Sequence, residues 1–278
     1  MKILILGHKG MLGDELVKVF KKDNELTLWD RSEIDIADRK DVESKIGDLR
    51  PEAVINAAAY TAVDLAEKEG KEIAYQVNGE AVGFLAEACK KNNSVLIHYS
   101  TDYVFNGRNK NGYQEDEKRD PLNEYGQSKA RGEELLQKIN PKFYLIRLSW
   151  LFGINGKNFV ETMLRLAKEN KELRVVNDQY GKPTYAKDLA QRTRELLESK
   201  RPFGIYHLTN EGVCTWYEFA VKIFELAGIE AKVVPVVSSE FPTPAKRPAY
   251  SALVNTKLPL SRSWQDALEE YLEETGRN

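Results

Sequence analysis

The chain has 278 residues, 42% of them hydrophobic and 30% charged, with a formal net charge of -2. That length accommodates one large α/β unit with a smaller lobe, and the near-neutral charge gives no field to draw in nucleic acid or an anionic membrane surface. No run approaches the roughly 18 apolar residues that cross a bilayer, and Cys89 and Cys214 form no CxxC, as expected of reduced thiols in the cytoplasm. The three histidines, His8, His98 and His207, have no metal-ligand spacing, so no metal is expected.

KILIL (2–6) reads as a first strand. Glycines follow it at once, where a signal peptide would carry a small-residue cleavage site. Segment 11–22 has helical spacing at Leu12, Leu16, Val19 and Phe20. LTLW (26–29) is a second strand, and 41–50 is a helix stopped by Pro51. Residues 53–59 form a strand running into a small-residue turn, and 72–91 one long helix. VLIHYS (95–100) is a fourth strand, 123–139 a helix and 143–150 a fifth strand. Strands separated by helices of this length predict a parallel sheet covered on both faces.

After Trp150 the alternation loosens. Segment 157–170 is helical, 173–176 a short strand, and a turn leads to a helix beginning near Ala186. GIYHL (204–208) is one more buried strand, and 215–227 and 263–275 are helical. Segment 238–251, with Pro242, Pro244 and Pro248, reads as a shaped loop. The expected division is a dinucleotide-binding domain over 1–150, to which 182–208 returns. Residues 151–278 form mainly a substrate-binding lobe, built from 151–181 and 210–278.

Gly7, Gly10 and Gly13 form GxxGxxG between a strand and a helix. Gly7 permits a tight turn, Gly10 lets backbone approach a pyrophosphate, and Gly13 lets helix and sheet pack closely. This predicts a Rossmann-like doubly wound sheet with a smaller C-terminal lobe. The second strand ends at Asp30-Arg31. A carboxylate there favours NADH by pairing with the ribose 2′-hydroxyl, whereas an arginine accepts the 2′-phosphate of NADPH, so both coenzymes stay open. Tyr125 and Lys129 form YxxxK, and positions i and i+4 share a helix face. A free phenol titrates near about 10, and an ammonium beside it is expected to lower that value.

A glycine-rich turn, a strand ending in Ser100-Thr101, and YxxxK together resemble the extended short-chain dehydrogenase/reductases. "INAAAYTAVDLAE", "STDYVFNG", "YGQSKARGE", "SWLFG", "NDQYGKPTYAKDLA", "YHLTNEG" and "RPAYS" narrow the resemblance to the dTDP-4-dehydrorhamnose reductase family, over nearly the whole chain. The resemblance implies reduction of the 4-keto group of dTDP-4-dehydro-L-rhamnose by NADPH or NADH. Thr101 and Tyr125 would hold the C4 oxygen, Tyr125 would protonate it, and Lys129 would hold the nicotinamide ribose. Met11 and Leu12 match the diphosphate turn with Gly10. Asp35 and Ile36 match an adenine-side contact. Ala59, Tyr60, Thr61 and Tyr99 match further coenzyme contacts. Thr61, Val63, Asp102, Tyr103 and Trp150 match the sugar side, with Trp150 as an aromatic wall, and Arg247 is the candidate for the substrate diphosphate. A dehydratase relative would carry an acid where this chain has Tyr103. The competing readings are a 4-epimerase that retains NAD, a different ketoreductase, and a non-catalytic regulatory subunit of the same fold. The expected partner is a small sugar nucleotide, not nucleic acid or membrane, and the resemblance allows a homodimer.

Overall fold

The computed structural model describes residues 1–169, 172–199 and 201–277. Its centre is a sheet of six parallel strands. Five are β1 (Lys2–Leu6), β2 (Glu25–Trp29), β3 (Ala53–Asn56), β4 (Val95–Thr101) and β5 (Phe143–Leu148); Gly204–His207 is the sixth. Across the sheet the order runs from Gly204–His207 through β5, β4, β3 and β1 to β2. Ile3 to Leu6, Ala53 to Ile55 and Leu96 to Ile97 are almost wholly buried, because helices cover both faces.

On one face Leu12, Leu16 and Phe20 of helix Met11–Phe20 pack with Leu189, Ala190 and Leu196 of helix Ala186–Glu198. On the other, Val42, Ile46, Val82, Leu85 and Leu136 pack against Leu4, Val54 and Leu96. The chain leaves β1 towards β2 and then returns to the opposite side of β1 as β3. That reversal opens a crevice at the carboxyl ends of β1 and β3, where ligands of doubly wound sheets sit. A further core gathers Phe152, Val160, Phe219, Ile223, Trp264 and Tyr271, from the C-terminal lobe. Among the described residues no helix is long and apolar enough to cross a membrane.

Two local expectations are corrected, and one strand falls in a stretch to which the sequence reading assigns no element. The helix over 72–91 is interrupted: Lys71–Tyr75 and Ala81–Lys91 flank a turn of π-helix at Gln76–Glu80. The wide turn carries buried Asn78, whose side chain takes the Tyr60 N–H at 2.9 Å and donates to the Tyr60 carbonyl at 2.9 Å and to Ser128 Oγ at 3.1 Å. Such bulges recur at functional sites, and this one fixes the chain leaving β3. The fifth strand stops at Leu148 rather than 150, because Trp150 adopts φ +50° and turns the chain. Finally, Lys232–Val236 is a strand paired in parallel with Glu172–Val176, although Pro235 lies within it. It belongs to a two-stranded sheet and so has an edge where a missing N–H costs nothing.

Candidate active site

Gly7 has φ +77°, and a Cβ there would lie 2.8 Å from Ala58 N. Only glycine lets this turn lie against the chain leaving β3. Gly10 precedes helix Met11–Phe20 and caps it with no side chain, so first-turn N–H groups face outward for an anion, aided by the helix dipole. A cleft of about 470 Å³ extends from this turn across the end of β2. Asp30, Arg31, Asp35 and Ile36 line one side of it, and Ala59 and Tyr60 come from the chain after β3. An unobstructed glycine turn, outward N–H groups and an acid at the end of β2 fit a dinucleotide. Asp30 is already engaged, with His8 Nε2 at 3.0 Å and Lys9 Nζ at 3.4 Å.

A second cleft, of about 510 Å³, shares Gly10 and Ala57 to Ala59 with the first. Met11, Leu12 and Gly13 line it from the glycine turn, and Thr61 and Val63 from the chain after β3. The end of β4 contributes Tyr99, Thr101, Asp102 and Tyr103; Tyr125, Lys129 and Trp150 complete the group. Helix Glu124–Ile139 is placed by its cap: Asn123 Oδ1 accepts from Gly126 N at 2.7 Å. A Cβ on Gly126 would lie 2.2 Å from the Tyr103 carbonyl, so the helix rests directly on the turn after β4. That contact sets the Tyr125 ring edge-on to Tyr103, with centroids 5.8 Å apart. Thr101 Oγ1 donates to Asp102 Oδ1 at 3.0 Å and accepts from Tyr103 N at 3.1 Å. Lys129, 4% exposed, donates to the Tyr99 carbonyl at 3.0 Å.

The electrostatics differ from the sequence expectation. Burial pushes the Tyr125 phenol above its ordinary value, the Asp102 charge adds to this, and the Thr101 hydroxyl opposes it. Lys129 does not lower it, because its ammonium is turned to the Tyr99 carbonyl and desolvation dominates. Burial brings Lys129 itself down to about 8, with Glu133 opposing. Asp102 rises to about 6 through burial, against the Ser251 and Thr101 hydroxyls. Tyr125 therefore holds its proton at neutral pH and can act as a donor. Beneath the site Glu133 and Arg147 are fully buried and paired at 2.9 and 2.7 Å, which ties the catalytic-end helix to β5.

Trp150 lines the second cleft and stacks on Trp216, with centroids 3.6 Å apart and planes 12° apart. Its left-handed backbone is rare for a bulky residue and is the kind of strain found at ligand sites. Tyr99 turns its hydroxyl to Thr193 at 2.9 Å, and its carbonyl accepts from Lys129 at 3.0 Å. Arg247 lines neither cleft. Its guanidinium grips both oxygens of Asp64 and contacts the Tyr103 hydroxyl. Sequence reasoning missed Trp216, Asn78 and Asp64. Trp216 opens a helix behind the Thr215 capping box, which marks the boundary but not the site. Asp64 lies within the quoted "TAVD", yet its partner is 183 residues away. Among the described residues no group of three or more His, Cys, Asp or Glu side chains is placed to hold a metal ion.

Comparison with known proteins matches the family model "RmlD substrate binding domain" over residues 1–277. The dTDP-4-dehydrorhamnose reductase of Aggregatibacter actinomycetemcomitans is 44% identical, over 96% of this chain and 97% of its own. The spore coat polysaccharide biosynthesis protein SpsK of Bacillus subtilis is 42% identical, over 98% and 97%. Among solved structures, a dTDP-4-dehydrorhamnose reductase of Clostridium acetobutylicum superposes with a TM-score of 0.96 at 41% identity, over 99% of this chain and 100% of its own. That of Bacillus anthracis, in complex with NADP, gives 0.95 at 38%, over 99% and 100%. With its glycine turn, Tyr125 and Lys129 in one crevice, the chain belongs to the RmlD family, the dTDP-4-dehydrorhamnose reductases among the extended short-chain dehydrogenase/reductases.

Proposed function

We propose that this protein reduces the 4-keto group of dTDP-4-dehydro-L-rhamnose with NADPH or NADH, giving dTDP-L-rhamnose. The observation that carries the reading is the convergence of Thr101, Tyr125, Lys129 and Trp150 on a cleft continuous with the glycine turn. The coenzyme, when bound, supplies the hydride that reduces C4. Tyr125, kept protonated by burial, gives its proton to the C4 oxygen as negative charge develops there. Thr101 swings its hydroxyl from Asp102 to the same oxygen, a second donor aimed at the developing charge. Lys129, whose ammonium donates to the Tyr99 carbonyl, holds the nicotinamide ribose. Trp150, backed by Trp216, covers the apolar face of the 6-deoxysugar, while Asp102 and Tyr103 meet its hydroxyls. For Arg247 to receive the substrate diphosphate, it must exchange Asp64 for phosphate oxygens.

In this reading residues 1–150 with 182–208 carry the coenzyme, and the remainder shapes the sugar site. The return of Gly204–His207 to the sheet and the separate core around Phe152 and Phe219 support that division. The near-neutral charge supports a small ligand rather than nucleic acid. Cys89 and Cys214, both free and buried, suit a reducing, cytoplasmic compartment. The test is to mix the protein with dTDP-4-dehydro-L-rhamnose and NADPH or NADH, follow coenzyme absorbance, and identify the sugar. Stoichiometric oxidation with appearance of dTDP-L-rhamnose is expected; no turnover with either coenzyme would refute the reading.

A further inference from the structure

The acid at the end of β2 should disfavour a 2′-phosphorylated coenzyme, but here it is not free. Asp30 Oδ2 lies 3.0 Å from His8 Nε2 and 3.4 Å from Lys9 Nζ. Both residues fill the variable positions of the glycine turn, and neither lines the adenosine-side cleft. The neighbouring acid, Glu33, is exposed and already engaged: it accepts from Asp30 N at 2.8 Å and Ser32 Oγ at 2.7 Å. Arg31 does line that cleft, is exposed, and has no ion-pair partner among the described residues. At this corner, then, the carboxylate that would repel a phosphate is masked while the adjacent guanidinium stands open.

We propose that His8 and Lys9 are specificity-determining residues: by occupying Asp30 they leave Arg31 to receive a 2′-phosphate, and so admit NADPH alongside NADH. The inference rests on the coenzyme reading above. Lys9 supplies the offsetting charge, and His8 is the nearer contact, 3.0 Å from Oδ2 but outside hydrogen-bonding geometry. When the 2′ position carries only a hydroxyl, Asp30 accepts from it with its remaining lone pairs, so the acid serves both coenzymes. Without the mask, a free carboxylate a few ångströms from the 2′-phosphate weakens its binding about tenfold.

The test is calorimetric titration of the full-length protein with adenosine 2′,5′-bisphosphate and with adenosine 5′-monophosphate, which need no turnover. In a His8→Ala/Lys9→Ala variant the affinity ratio should fall about tenfold against the bisphosphate. Lys9→Ala alone, at a side chain that is 68% exposed, should give about a threefold fall. Combined with Asp30→Asn, the same changes should shift the ratio less than twofold, because the charge to be masked is gone. A ratio within twofold of wild type in the double variant overturns the proposal. An equal fall with and without Asp30→Asn overturns it too, since Lys9 would then bind phosphate directly. Wild-type protein that binds neither nucleotide refutes the coenzyme reading itself, which separates the two failures.

Discussion

Gly181→Ala tests the aromatic wall without touching a catalytic group. A Cβ at 181 would sit 2.5, 2.7 and 2.8 Å from Trp150 Cε2, Cζ2 and Nε1. Carbon pairs rest at about 3.5–4.0 Å, so the indole must move by about 1 Å. It is poorly placed to do so: its backbone is left-handed, and Trp216 is stacked on it at 3.6 Å. Overpacking of this kind costs about 1–3 kcal/mol, which lowers the melting temperature by several degrees. The displaced indole also loses registry with the sugar. Stacking of a ligand on an aromatic ring contributes about 1–3 kcal/mol, so losing part of it should weaken sugar-nucleotide binding about tenfold. Coenzyme binding should hold, because the glycine turn is untouched. Thermal melts and calorimetric titration of both ligands read the three quantities. A lowered melting temperature with unchanged sugar-nucleotide affinity would refute the reasoning and reduce Trp150 to packing.

Tyr125→Phe should keep the fold and coenzyme affinity while turnover falls by a factor of about 10²–10⁴; near-normal turnover under steady-state assay would remove the phenol from the mechanism. Lys129 holds its proton below about 8 and loses it above, so kcat/KM, which reports the free enzyme, should decline as pH rises through that value. A profile flat to well above it would show that the ammonium is dispensable. Arg147→Ala leaves Glu133 charged, buried and without its closest partner, which should destabilise the protein by about 3–5 kcal/mol in chemical denaturation; a loss under about 1 kcal/mol would show that Arg119, at 3.1 Å, suffices.

Much of the fold was legible because buried parallel strands are written as uninterrupted apolar runs. β1, β3 and β4 carry KILIL, AVIN and VLIHYST, and no other element suits such segments between helices. The glycine turn and YxxxK were legible because local sequence fixes their geometry. What was not legible depended on partners distant in the chain. The π-turn at Gln76–Glu80 exists to aim Asn78 at Tyr60, and helical periodicity does not register one extra residue per turn. Trp150 ended a strand pattern, so nothing local announced its left-handed backbone or its pairing with Trp216. Tyr125 and Lys129 were found together, but the direction of the phenol's shift was not, because burial is a property of the packed molecule.

The clasp between Arg247 and Asp64 spans 183 residues, and Asn123 reaches across 123 residues to the Lys246 carbonyl at 2.8 Å. During synthesis the glycine turn and the first four strands leave the ribosome early and can pair as they emerge. The strand Gly204–His207 follows much later, and the segment bearing Lys246 and Arg247 comes after it. A growing chain therefore acquires the glycine-turn crevice well before the clasp between Arg247 and Asp64. Such long-range closure is slow, because the entropy of the intervening loop is lost before the contact forms. The order of emergence thus makes this clasp a late step in folding.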